Sequence, residues 1–192
     1  MDLVLLKPGD QDVFTDDLRG SLVDGALELD EEDDLAGSIE LVSCNWGMAQ
    51  QMTTDVSNSA RTSGRPNLND INVVKYVDRA SPMFYRFCLS ARPLDNQSSG
   101  DEPTKIFLCR NSNEDDSGNV IASIMTISLY NCMVASVQAQ SHPNDMATEQ
   151  LMLNFTDVSW SATHQDSAAT SIGSTVAEWS ITRNRSELKT DY

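Results

Sequence analysis

The stretch SIELVSCNWGMAQQ, residues 38–51, alternates in character from one residue to the next. On one side of an extended chain it places large apolar side chains: Val42, Cys44, Trp46 and Met48. On the other side it places small, polar and uncharged residues: Ser43, Asn45 and Gly47. A period of two rich in branched and aromatic residues predicts a β-strand with one face covered by a core. We therefore expect Val42, Trp46 and Met48 to pack in the core.

Length and charge exclude several classes of function. The chain has 192 residues, of which 40% are hydrophobic, and this suits one folded domain. Its formal net charge is −16, without a cluster of Lys and Arg. Because such clusters bind phosphate backbones and anionic lipids, we expect neither a nucleic-acid partner nor a membrane partner. No apolar run approaches the roughly 20 residues that span a bilayer.

The rest of the chain is mostly strand with one helix. Further strands are predicted at residues 1–6, 70–77, 105–110, 120–129, 131–140, 150–163 and 174–183. The helix begins with Ser81 as N-cap and Pro82 at its first position, and it runs to about residue 91. Phe84 and Phe87 recur at helical spacing, so they should pack on the sheet. Many strands around one helix favour an antiparallel barrel, because closure removes exposed edges.

An acidic insertion interrupts this pattern at residues 9–34. It holds eleven acidic residues and one arginine, a net charge of −10. An EF-hand that starts at Asp30 would place Leu35 where the motif needs glycine and Leu41 where it needs glutamate. A solvated insertion is therefore the better interpretation. We predict a single domain at residues 1–183, followed by a polar tail at 184–192.

No constellation of catalytic residues or metal ligands stands out, so we expect neither an enzyme nor a cofactor. His142 lies in a turn-like SHPND stretch, and His164 lies near Asp166 and Ser167 in THQDS. Three such neighbours in one turn cannot easily converge as a nucleophile, a base and an orienting group do. The four cysteines are 44, 21 and 23 residues apart, which favours structural thiols in a reducing cytosol over a metal site. The N-terminus does not have the pattern of a secretory signal peptide.

Several blocks together resemble the Hcp family, the haemolysin-coregulated tube proteins of bacterial type VI secretion. SCNWGMAQ at residues 43–50 is similar to a family strand, and NVVKYVDRASPMFYRFC at 72–88 resembles the family's strand, Ser-Pro linker and helix. SLYNCMVASV, QLMLNFTDV and VAEWSI are similar to three later strands, in the same order. The likeness covers residues 38–183. The acidic insertion is longer than the family's usual first connection, and residues 53–69 lack the glycine run common there.

The resemblance implies a six-stranded antiparallel barrel with one helix, like that of phage tail tubes. It also implies a homohexameric ring, stacked into a tube that a contractile sheath expels behind a VgrG-type spike, with effector proteins in the lumen. Such a protein is made in the bacterial cytoplasm and secreted without a signal peptide. On this model Ser43, Asn45 and Gly47 would face the lumen.

Two other functions are compatible with the sequence. One is the tail-tube subunit of another contractile phage-like particle, which genes for a sheath and baseplate without membrane-complex genes nearby would indicate. The other is a small hydrolase that uses His164. An activity of the pure protein that is lost in His164→Ala would indicate it.

Overall fold

The computed structural model describes residues 3–10, 12–14, 35, 38–52, 64–95, 102–114, 118–165 and 171–186. Within these ranges the chain forms one helix, α1 (Ser81–Ser90), and twelve strands. The strands are β1 (Leu3–Lys7), β2 (Ile39–Leu41), β3 (Ser43–Asn45), β4 (Met48–Ala49), β5 (Asn67–Leu68), β6 (Ile71–Tyr76), β7 (Thr104–Glu114), β8 (Gly118–Tyr130), β9 (Met133–Gln140), β10 (Thr148–Asn154), β11 (Asp157–Gln165) and β12 (Ser171–Ser180). The prediction of a mostly β chain with one helix is confirmed.

The strands pair antiparallel in two large sheets and one small one. The larger sheet has the order β12-β11-β8-β7-β1-β2, the second β3-β6-β10-β9, and β4 pairs only with β5. Strands β2 and β3 are nearly continuous, and the N–H of Val42 between them donates to Val74 O at 2.7 Å. The chain thus passes from one sheet to the other at Val42. Pairing among the described strands does not close on itself, so the closed six-stranded barrel stays a prediction.

The core fills the space between the two large sheets and α1. Leu6, Ile106 and Ile127 contribute from the larger sheet, and Val73 and Leu151 from the smaller one, all fully buried. Each such side chain stabilises the fold by roughly 1.5–3 kcal/mol through the removal of apolar surface from water. A second cluster lies on the opposite face of the larger sheet, because Leu5 and Phe107 pair in register and point away from Leu6 and Ile106.

Helix α1 begins differently from the sequence prediction. Its N-cap position is Ala80, and Pro82 follows within the first turn. Ser81 does not cap the helix; Asp78 Oδ1 instead accepts the N–H groups of Ala80 and Ser81, at 2.9 and 3.2 Å. The helix ends where Ala91 takes a left-handed conformation, with φ of 50°. Phe84 and Phe87 are buried, at 0% and 2% exposed, as the helical spacing predicted.

Two predicted strands are interrupted. The stretch predicted at residues 150–163 is divided into β10 and β11, which belong to different sheets. Phe155 and Thr156 make the crossing, where the Thr156 N–H donates to Tyr130 O at 3.1 Å. The stretch at residues 38–51, which we call the opening stretch, is divided in the same way. Val42 lies at the passage between the two sheets, and the chain leaves the second sheet after Asn45.

The acidic insertion is anchored at both of its ends. Phe14 is fully buried and contacts the rings of Phe84 and Phe87, with centroids 4.9 and 5.5 Å away. Leu35 is 5% exposed and packs with the second cluster, beside Leu5. The two anchors therefore lie on opposite faces of the larger sheet. The prediction that the insertion is solvated is wrong for its start, because Gly9, Asp10 and Phe14 are buried. Residues 15–34 lie outside the described residues, so the prediction stays open for them.

Asp95 joins three separate parts of the chain. Its Oδ1 accepts the N–H and the hydroxyl of Thr104, at 3.2 and 2.9 Å, and its Oδ2 accepts the N–H of Cys132 at 3.0 Å. The Thr104 hydroxyl also accepts the N–H of Gly9 at 3.3 Å. Burial raises the pKa of Asp95 to about 6, although these donors favour the charged form.

Candidate functional site

The opening stretch does not have the burial that its alternation predicts. Val42, Trp46 and Met48 are exposed by 51%, 38% and 58%. The prediction that they pack in the core of the single chain is therefore wrong. Only Cys44 points inward, where it packs against the core. The reason is that the strand changes sheets at Val42 and ends at Asn45, so the side chains beyond these points have no opposite layer to cover them.

The outer surface of the second sheet is a continuous polar face, which we call the amide face. In β6 and β10 its residues alternate with buried residues. They are Ser43 and Asn45 of β3, Asn72, Val74 and Tyr76 of β6, Thr148, Gln150, Met152 and Asn154 of β10, and Ser136, Gln138 and Gln140 of β9. None of them is charged, in a chain of which 22% is charged. Charged residues of the same strands, such as Lys75 and Glu149, point inward and are buried.

The register places the predicted residues Ser43 and Asn45 on this face. Ser43 pairs with Val74, and Asn45 pairs with Asn72. Directly opposite residues of an antiparallel pair point to the same side of the sheet. Gly47 lies beyond the end of β3, where its carbonyl accepts the N–H of Asn69 at 3.0 Å. A Cβ at Gly47 would stand 3.3 Å from Asn69 Nδ2, so the close approach of these two segments favours glycine.

A cleft of about 630 Å³ opens at one edge of the amide face. Its lining is rich in carboxamides and includes two of the three predicted lumen residues, Asn45 and Gly47, but not Ser43. The lining residues are Asn45, Trp46, Gly47, Asn67, Leu68, Asn69, Asp70, Asn72 and Met152. Asp70 contributes a carboxylate to the cleft, and its Oδ1 accepts a hydrogen bond from Asn154 Nδ2 at 2.8 Å. Side-chain amides can both donate and accept, and Asp70 adds a negative charge, so the cleft suits a polar ligand that is not anionic.

Two polar atoms of the amide face lack a hydrogen-bond partner among the described residues. They are Asn72 Oδ1 and Ser136 Oγ, and both are shielded from solvent. Asn72 and Ser136 pair with Met152 from its two sides, so the three residues form one row across the sheet. Buried polar atoms are nearly always paired, and an exception in a folded protein calls for an explanation.

An apolar groove of about 330 Å³ lies beside the β4–β5 hairpin. We call it the tryptophan groove, after Trp160 and Trp179, which line it together with Met48 and Leu68. Met52, at the start of the connection that follows, is 57% exposed. Contiguous apolar surface of this kind marks interaction sites more often than isolated exposed side chains do.

A buried ionic cluster connects α1 to the second sheet. Lys75 Nζ lies 2.9 Å from Glu149 Oε1 and 2.8 Å from Asp78 Oδ1, and both Lys75 and Glu149 are fully buried. The Ser81 hydroxyl donates to Glu149 Oε1 at 2.8 Å, and the Tyr85 hydroxyl donates to Oε2 at 2.6 Å. Desolvation and the hydrogen bond to Glu149 raise the pKa of Tyr85 to about 12, so the phenol remains a donor. The cluster fixes the start of α1 over β6 and β10.

The described residues do not assemble a reactive site. Ser81 lies beside Lys75 but is 1% exposed, so a substrate cannot reach its hydroxyl. His142 is exposed and contacts Gln140, whereas the side chain of His164 lies outside the described residues. Within the described ranges, no group of three or more His, Cys, Asp or Glu side chains could hold a metal ion. At ten residues α1 is too short to cross a membrane, and the described part of the chain has no helix that could.

The sequence also matches a model of a known family. The model, described as the type VI secretion system effector Hcp, matches residues 29–161, more than half of the chain. The chain belongs to the Hcp family. Members of this family are structural tube proteins of type VI secretion and are secreted by it. No curated protein matches the sequence.

Solved structures share the fold of this Hcp chain. A structure described as a type six secretion system protein is 16% identical with a TM-score of 0.72, over 97% of this chain and 100% of that one. Hcp1 from Salmonella typhimurium is 16% identical with a TM-score of 0.61, over 97% and 99% of the two chains. Hcp3 from Pseudomonas aeruginosa is 12% identical with a TM-score of 0.51, over 91% and 98%.

Most of the amide face of this Hcp chain was missed by the sequence analysis, which identified only the residues of the opening stretch. The signal was present. In β10, Gln150 and Met152 alternate with Leu151 and Leu153, and β9 carries Gln138 and Gln140 at the same period of two. What the sequence could not supply was the pairing of these strands side by side, which joins their polar residues into one surface.

Proposed function

We propose that this chain is the subunit of homohexameric rings that stack into the inner tube of a type VI secretion system. The amide face lines the lumen in this proposal, with Ser43 and Asn45 in the wall and Gly47 at its edge. The observation that supports this best is the absence of charge from the amide face of a protein with net charge −16. An uncharged lining attracts neither acidic nor basic cargo strongly, so different effector proteins can enter and leave.

Contacts between copies would use the exposed apolar residues. Val42, Met48 and Met52 are each more than half exposed, and the tryptophan groove lies next to Met48. Fully buried interface cores are rich in Trp and Met and poor in charge. These side chains, expected at first in the core of the single chain, would be covered by a neighbouring subunit instead.

The acidic insertion at residues 9–34 would lie outside these contacts. Unpaired carboxylates cost several kcal/mol each in a dry interface, which disfavours an insertion of net charge −10 between subunits. We place it on the outer wall or rim, near the contractile sheath, with the VgrG-type spike at the tip of the tube. Residues 1–183 would form one domain and residues 184–192 a tail.

Substitution of Asn45 tests whether this residue faces the lumen or lies between two subunits. Asn45 is exposed, so Asn45→Arg should change the free energy of unfolding by only about 0.5 kcal/mol or less. If Asn45 faces the lumen, the variant still forms rings in electron micrographs, and effector binding is weakened because a bulky cation recurs around the channel. The matched control is Asn45→Gln, which keeps the carboxamide and should retain both rings and cargo.

The outcome is read from size exclusion and negative-stain microscopy of the purified protein. Monomers of Asn45→Arg beside rings of the wild type would place Asn45 between subunits and contradict the lumen assignment. Monomers of the wild type at every ionic strength would contradict the ring itself. Because self-repulsion among acidic subunits is screened by salt, rings should become more abundant from low to moderate ionic strength.

A further inference from the structure

We infer that the cleft and the row formed by Asn72, Met152 and Ser136 bind an extended segment of a polypeptide without acidic side chains, through hydrogen bonds to its main chain. The inference rests on the proposed function only for the origin of that segment, a transported protein. The site itself is defined by the described residues. It combines a polar cleft, two polar atoms without partners and a flexible side chain between them.

The unpartnered atoms indicate what the ligand must supply. Asn72 Oδ1 can only accept a hydrogen bond, and Ser136 Oγ can accept or donate one. Both atoms are shielded from water and have no partner among the described residues. A bound group with an N–H and a C=O would satisfy both, and a peptide main chain carries both groups at every residue except proline.

Met152 makes access to these atoms possible. It lies between Asn72 and Ser136 in the row and also lines the cleft. Methionine has three rotatable side-chain bonds and adapts its shape at binding surfaces. In this inference the ligand displaces the Met152 side chain, reaches the two polar atoms on either side of it and packs against its thioether. Neighbouring strands are about 4.8 Å apart, so Asn72 and Ser136 are separated by about 10 Å, the length of about three extended residues.

The charge pattern selects the kind of segment. The amide face carries no charged residue, and the carboxylate of Asp70 in the cleft is engaged by Asn154. An acidic ligand side chain would lose its hydration here and would meet no counter-charge, since the one charged group in the cleft is the carboxylate of Asp70. The carboxamides of Asn45 and Asn72 have the donors and acceptors of a peptide group and can pair with a main chain whatever its side chains.

A labelled peptide tests the site on the assembled protein. The probe is a blocked hexapeptide of Ser, Asn and Gly that carries a fluorophore, and binding is followed by fluorescence anisotropy. We expect saturable binding whose Kd changes less than about twofold between about 0.05 M and 0.5 M salt, because no ion pair is screened. An analogue with two glutamates should bind at least about fivefold more weakly, and a neutral hexasaccharide should not compete.

Asn72→Leu is the variant that separates binding from folding. Loss of the carboxamide should weaken peptide binding about fivefold to tenfold, as the loss of one to two hydrogen bonds does. The unfolding midpoint should stay equal or rise, because an unpaired buried acceptor disappears. Gln138→Leu is the control, since Gln138 lies on the same face but not in the cleft. It should change the Kd less than about twofold.

Rings are counted by microscopy in the same samples. Rings without peptide binding, equal binding by wild type and Asn72→Leu, a strong salt dependence, or binding of the saccharide alone would each overturn the inference while the tube function stands. Peptide binding by a protein that forms no rings would support the site and contradict the proposed function.

Discussion

Replacement of Lys75 by methionine should destabilise the protein strongly, because Lys75 is fully buried and pairs with buried acidic groups. Its ammonium group has four oxygen partners, from Tyr76, Asp78, Ser81 and Glu149, at 2.8, 2.8, 3.2 and 2.9 Å. Lys75→Met leaves the carboxylate of Glu149 buried, with only the Ser81 and Tyr85 hydroxyls to stabilise its charge. An uncompensated buried charge costs about 3–5 kcal/mol.

This free energy can be read as a shift of the melting temperature. For a chain of about this size, 1 kcal/mol corresponds to about 2–4 °C, so Lys75→Met should lower the Tm by about 6–20 °C. Arg86→Met is the matched control, because Arg86 lies on the exposed side of α1, and it should change stability by about 0.5 kcal/mol or less. Circular dichroism with heating and with urea measures both variants.

A double substitution decides whether the two ions act as a unit. Lys75→Met with Glu149→Leu removes both charges together. The double variant should therefore lose much less free energy of unfolding than the two single variants added together. The reason is that neither Lys75 nor Glu149 remains as a buried charge without its partner. Additive effects, or a loss below about 1 kcal/mol in Lys75→Met, would show that the cluster does not hold α1 on the sheet.

Three further substitutions test other parts of the fold. Phe87→Ala should lower the free energy of unfolding by about 3–5 kcal/mol in urea titrations, since the ring is 2% exposed; an unchanged midpoint would mean the ring is not packed. Gly9→Ala should cost at least about 1–3 kcal/mol, because its Cβ would overlap the carbonyl oxygen of Glu102, whereas Gly173→Ala, with nothing within 4 Å, should be neutral. Burial raises the pKa of Asp95 from 3.8 to about 6, so its contribution to stability is present below pH 3.8 and is lost as the pH rises through 6. Asp95→Asn should remove that part of the pH dependence, and parallel stability curves of variant and wild type would refute the assignment.

Elements with a strong local signal could be predicted from the sequence. The Ser-Pro start and the 3.6-residue spacing of Phe84 and Phe87 predicted α1 to within one or two residues. The alternating strands β6 and β9 were also predicted within two residues of their observed bounds, whereas β12 was predicted three residues too late at both ends. In each case the signal and the structure depend on neighbours within a few residues.

Features that depend on distant residues could not be predicted. Alternation shows that the two sides of a strand differ, but it does not show where the strand leaves its sheet, as happens at Val42. The crossing at Phe155 has no glycine or proline to mark it. The pairing of Lys75 with Glu149 joins residues 74 positions apart, so only the fold brings them together.

The anchors at Phe14 and Leu35 have a consequence for how the acidic insertion can vary. Each anchor is held by its own hydrophobic cluster, on its own face of the larger sheet. The entropic cost of closing a connection between two fixed ends rises only with the logarithm of its length, by about 0.6 kcal/mol for each doubling. Residues 15–34 can therefore be lengthened or replaced at small thermodynamic cost, and a purification tag or a whole additional domain placed there would leave both clusters covered.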